Sequence, residues 1–148
     1  MRVNASIEID RPADVVFGYV ADMAKNPTWQ SGQQQCTWTS EPPIRVGSTY
    51  DQIARFAGRT ISSSFEVTEF DPPRTIRIVS TAGTMPIDVT RTVEALGENR
   101  ARVSADVAGD PPAAMKLLGP LLKRMVGSNV RKDYERLKEL LEAPSPTP

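Results

Sequence analysis

Arg91 is the polar exception on an apolar face. Strand alternation sets it on the same side as Ile87, Val89 and Val93. A guanidinium turned inward there needs a partner, because an unpaired buried charge is very costly. A ligand carboxylate or phenolate would serve, as would Gln52 or an acidic neighbour. A slip of register at the strand's rim would instead leave Arg91 in water. Tyr50 and Gln52 share a face of another strand, where they can orient a ligand by hydrogen bonds or satisfy each other. Carbon-acid chemistry needs a base and a donor that stabilises the enolate. Tyr50 and Arg91 suit the donor role. No convincing base accompanies them, since Asp51, Glu66 and Glu69 all alternate towards solvent.

Other chemistry is excluded by composition. The chain has no histidine and one cysteine, Cys36. An intramolecular disulfide, a zinc site of the usual Cys/His kind and a histidine-based nucleophile system cannot be built. No metal and no cofactor are expected, and Cys36 reads as a small buried apolar side chain.

Elements that would position these groups follow from periodicity. Val3, Ala5, Ile7 and Ile9 alternate with polar residues, which predicts a strand with one buried face. Pro12 suits the first turn of a helix. Two short helices are expected over Ala13–Asp22 and Met23–Gln30, with Asn26-Pro27 breaking any continuation. Strands follow over Gln33–Glu41, from Val46 onwards, and over Thr60–Phe70, Thr75–Thr81, Met85–Leu96 and Arg100–Ala108. Tight turns such as Asp71-Pro72-Pro73-Arg74 join them, predicting an antiparallel meander of seven strands. A long amphipathic helix over Ala113–Glu142 closes the chain, about 45 Å long if straight. Gly119-Pro120 is expected to bend or loosen its first third. At 148 residues one domain is expected, over 1–142, with residues 143–148 a disordered proline-rich tail.

Formal net charge is zero, so no electrostatic case for nucleic acid arises. Met1-Arg2-Val3-Asn4 leads straight into alternating sequence rather than a signal pattern, and no apolar run approaches the ~20 residues that span a bilayer. A cytoplasmic, soluble protein without stable membrane insertion is expected. Lys116, Lys123, Arg124, Arg131 and Lys132 fall in a span free of Asp and Glu. Such a span usually forms a solvated outer face; the alternative is contact with an anionic membrane surface.

Four segments occur in order: Ile7-Glu8-Ile9-Asp10-Arg11-Pro12-Ala13-Asp14-Val15-Val16-Phe17 with Trp29 behind it, Val46-Gly47-Ser48-Thr49-Tyr50, Val67-Thr68-Glu69-Phe70-Asp71-Pro72-Pro73-Arg74, and Leu137-Lys138-Glu139-Leu140-Leu141-Glu142. Together they resemble the polyketide cyclase/dehydrase and lipid-transport family of the START-like (SRPBCC) superfamily, from about Arg2 to Glu142. The resemblance implies an α+β helix-grip fold: a curved seven-stranded antiparallel sheet around a long C-terminal helix, with two short helices after the first strand. It also implies a hydrophobic ligand in the tunnel between sheet and helix.

On that fold the concave face is expected to present Trp38, Tyr50, Phe56, Phe65, Ile78, Val89 and Val103. The helix answers with Met115, Leu118, Leu122 and Met125. Aromatic and methionine side chains suit a flat apolar ligand, or simply fill a core. Trp29 falls at the expected mouth, as a lid or as an anchor for its helix. Three functions stand open. The first is a carrier or sensor of a small hydrophobic molecule (a lipid, a polyketide or another aromatic), which leads. The others are a polyketide cyclase/aromatase-like enzyme and a co-chaperone-like interaction protein without a ligand. A homodimer is left open as well.

Overall fold

Period-two alternation becomes seven strands in a computed structural model, which describes residues 1–56, 58–83, 85–111 and 116–144, with only the backbone of Phe56. The strands are β1 (Arg2–Ile9), β2 (Gln33–Trp38), β3 (Thr49–Phe56), β4 (Arg59–Asp71), β5 (Thr75–Ala82), β6 (Ile87–Gly97) and β7 (Arg100–Gly109). They form one antiparallel sheet in the order β1-β7-β6-β5-β4-β3-β2. Register shifts at Gln33/Gln35, Ser64/Phe65, Val67/Glu69 and Ala95/Gly97 add residues to one strand of a pair, and such bulges bend a sheet.

Helices cover the concave side in two parts. Helix α1 (Ala13–Val20), a 3-10 turn (Met23–Lys25) and α2 (Asn26–Trp29) follow β1. Val16, Phe17 and Val20 are the buried face of α1, and Phe17 meets Phe70 of β4 at a ring separation of 5.9 Å. Val67, Ile76, Val93, Ala101 and Val103 complete this apolar half. Helix α3 (Gly119–Glu142) takes the other half. Its C-terminal end is tied to β1: Lys138 donates to the Glu8 carbonyl at 2.8 Å, and the Asp10 backbone N–H donates to Glu142 at 2.8 Å. Close packing continues at Gly127, where a Cβ would lie 3.7 Å from Val3.

Two helix expectations are corrected. The closing helix is shorter than expected: Lys116 is helical, a turn at Leu117 and Leu118 interrupts the helix where loosening was expected, and α3 then runs from Gly119-Pro120 for 24 residues, about 36 Å. Pro27 likewise opens α2 instead of breaking the chain, the break falling at Ala21-Asp22. Proline at a helix start loses no intrahelical hydrogen bond, which is why both sites favour initiation. Met115 and residues 145–148, most of the expected tail, lie outside the described residues. No helix among the described residues is long and apolar enough to cross a membrane.

Candidate functional site

Between the sheet and α3 the two layers do not close. A cavity of about 1040 Å³ remains, bounded by inward residues of β1 and β3–β7, the loop after α2, and α3. Strand register orients it. Gly58, Arg59 and Thr60 at the β3–β4 turn, Met85 before β6, Gly109 at the end of β7 and Leu122 at the start of α3 form one end. Tyr50, Phe65, Ile78, Arg91, Ala105 and Tyr134 form the other. The first end is the mouth, since Gly58, Arg59 and Thr60 are exposed; all six residues of the second are buried.

Arg91 lies at the inner end, turned inward and only 3% exposed. Its Nη1 donates to the Val20 carbonyl at 2.7 Å and to Asn26 Oδ1 at 3.0 Å, with Met23 Sδ at 3.5 Å. Val20 ends α1, so the guanidinium caps the negative end of a helix dipole. The Trp29 ring faces it at 4.8 Å, adding a cation–π contact. No carboxylate among the described residues forms an ion pair with it, and its Nε donates to nothing among them. Arg91 is thus held by dipoles and a ring face, with positive charge to spare.

Two tyrosines flank that charge. Tyr50 stacks on Phe65 at 5.1 Å, and Tyr134 meets Trp29 edge-on at 5.0 Å. Neither hydroxyl has a hydrogen-bond partner among the described residues. Burial pushes both phenols well above their ordinary range, with Arg91 pulling the other way. Both are therefore neutral donors at ordinary pH. Burial also pushes the Cys36 thiol up to about 11. It stays protonated against Gln33 and Gln52 and does no nucleophilic work.

Asp133 is a wall residue that the strand alternation could not supply. It is buried on α3 and accepts from the Ser31 backbone N–H at 3.1 Å and from Ser31 Oγ at 3.2 Å. Burial raises its carboxyl above the ordinary range, opposed by Ser31 and then by Arg136 and Arg91. A signal was present: Val126, Val130, Asp133 and Leu137 follow the i, i+4, i+7, i+11 row that faces the sheet. A raised native pKa favours the protonated form, so this carboxyl's contribution is whole below the unfolded pKa and lost as pH rises through the native one. Asp133→Asn is expected to raise Tm at pH 8, with the gain shrinking towards zero below pH 4. Thermal melts across that range test it.

Of the residues expected at the site, Tyr50, Gln52, Phe65, Ile78, Val89, Arg91 and Leu122 line the cavity. Trp38 does not. The 3-10 turn and α2 cover the inward face of β2, so Trp38 packs edge-on behind Tyr50 at 5.4 Å and donates to Asp22 Oδ1 at 2.8 Å. Trp29 is fully buried under Arg91, an anchor and not a lid at the mouth. Val103 belongs to the core beneath α1. Leu118 and Met125 are 55% and 40% exposed, because the late start of α3 and its tie to β1 turn them to solvent. Met115 and the Phe56 side chain lie outside the described residues.

A curved antiparallel sheet gripping a C-terminal helix over such a cavity is a START-like fold. The chain belongs to the polyketide cyclase/dehydrase and lipid transport family, whose family model matches residues 1–142. Solved structures agree on the fold. TTHA0849 from Thermus thermophilus superposes with a TM-score of 0.82 at 21% identity, over 98% of this chain and 100% of that one. A START superfamily protein from Mycobacterium smegmatis gives 0.79 at 15% identity, over 95% and 97%. The Zhui aromatase/cyclase from Streptomyces sp. R1128 gives 0.67 at 15% identity, over 95% of both chains. No curated protein matches this chain.

Proposed function

We propose that this protein binds a small apolar molecule bearing an acidic oxygen, as a carrier or sensor. One observation carries the reading: Arg91 Nε and the hydroxyls of Tyr50 and Tyr134 are buried, unpartnered among the described residues, and set in the inner end of a mainly apolar cavity. A buried donor without a partner costs about 1–3 kcal/mol, which a carboxylate or phenolate oxygen would recover. Val89, Val107, Ile87 and Val126 nearer the mouth suit a hydrocarbon or aromatic body.

Melting the protein with apolar acids (palmitate, 1-pyrenebutyrate, 2-naphthoate) and with their methyl esters tests this. At one hundred times its dissociation constant an acid adds ~2.7 kcal/mol, which raises Tm by about 8 °C for a chain of this size. Esters should give less. No shift with any member ends the reading, and equal shifts for acids and esters end its acidic part. Tyr50→Phe removes a hydroxyl without a partner among the described residues. The free protein should melt no lower, while affinity for the acids falls about fivefold to tenfold.

Asp133 favours a second reading, a cyclase-like enzyme, as in the aromatase/cyclase neighbours. A carboxylate with a raised pKa is a fit base for the methylene between two ketones. It would take that proton while Tyr50 and Arg91 hold the enolate oxygen. Cyclisation of a poly-β-keto substrate above the buffer rate, lost in Asp133→Asn, would support it.

A further inference from the structure

The turn before α3 and the first turns of that helix carry an exposed apolar patch that the cavity does not use. Leu117 is 91% exposed, Leu118 55%, Leu121 64% and Met125 40%. Leu121, Met125, Ser128 and Lys132 form one i, i+4, i+7, i+11 row on the helix face turned away from the sheet. Arg124 and Arg131 run along one side of that row. Lys123, Arg124, Arg131 and Lys132 are exposed, and none pairs with a carboxylate among the described residues. Lys116 alone is paired, to Asp110 at 3.7 Å. From Pro111 to Lys132 the sequence holds no Asp or Glu, although the whole chain is neutral. The positive charge is therefore concentrated where the apolar side chains protrude.

We propose that this face docks on an anionic lipid bilayer. Charge complementarity names the occupant: Arg124, Arg131 and Lys132 border the exposed leucine and methionine side chains, so cations meet headgroups while the leucines enter the acyl boundary. The form of the patch agrees. A leucine 91% exposed at a turn is a projecting tip, which a fluid hydrocarbon layer accepts without a shaped pocket. Position adds a consequence. Leu121 points outward beside Leu122, which lines the cavity mouth, so docking brings the mouth to the lipid surface. The inference rests on exposed side chains and not on the nature of the cavity's ligand.

Sedimentation of the full chain with vesicles tests it. The vesicles are phosphatidylcholine, alone or with about 30 mol% phosphatidylglycerol. Wild type should bind the anionic vesicles, leave the neutral ones, and dissociate at about 0.5 M salt. Arg124→Glu with Lys132→Glu should lower partition at least tenfold, at about fivefold for each cation lost. Leu117→Ser with Leu121→Ser should lower it by a similar factor. All four sites are exposed, and unchanged melting would show the variants folded. Val107→Trp, which blocks the cavity, should bind vesicles like wild type. No binding, equal binding to neutral vesicles, indifference to either double variant, or loss in Val107→Trp would overturn the proposal. So would a dimer in solution that Leu121→Ser dissolves, which would assign the face to a second copy of the chain.

Discussion

Arg91→Ala is expected to lower Tm by about 10 °C and to remove binding of apolar acids. The stability loss comes from what the guanidinium touches. Nη1 is the donor to the Val20 carbonyl and to Asn26 Oδ1, both within the buried inner end of the site. Without it two acceptors lose their partner, at about 1–3 kcal/mol for a buried group. The cation–π contact with Trp29 and the packing of the side-chain stem go too. A net loss of about 3 kcal/mol corresponds to that Tm change in a chain of this length. The binding loss has a separate origin, the Nε donor and the spare positive charge. Stability and binding should part in Tyr50→Phe, which keeps Arg91 in place. Thermal melts and acid titrations of both variants check the pair; an Arg91→Ala protein as stable as wild type would place the side chain in water.

Val107→Trp is expected to weaken ligand binding more than tenfold while leaving Tm within a few degrees. Val107 lies on β7 between Val3 of β1 and Val89 of β6, all three on the cavity wall. It sits two residues nearer the mouth than Ala105, which pairs with Arg91. A large ring there lies across the path to the inner end. In a filled core such an insertion costs about 1–3 kcal/mol through displaced neighbours. Over open space the ring gains contacts instead. A variant that melts far below wild type would show the wall to be packed.

Alternation read the sheet well, because each strand has one dry face and a slip of one residue would invert it. Tyr50, Gln52, Phe65, Ile78 and Val89 reached the cavity on that basis alone. Arg91 shared their face, but its fate depended on a helix end and an asparagine some 70 and 65 residues away in sequence, which periodicity does not reveal. Trp38 shows the limit of a face: inward on β2 means under the 3-10 turn, because the helices divide the concave side between core and cavity. Leu118 and Met125 failed for a related reason. Apolar spacing is alike for a stripe that enters the core and one that leaves it, and the start of α3 at Gly119-Pro120 decided between them. Asp133 was legible on the inward row of α3. A search for a base confined to strand carboxylates passes over it.

Calorimetric titration of 1-pyrenebutyrate into wild type and Val107→Trp, at two temperatures, tests the cavity most directly. The expected result is one site in wild type, a negative heat-capacity change from apolar burial, and at least tenfold weaker binding in the variant. No binding by wild type, or equal binding by the two proteins, would contradict it.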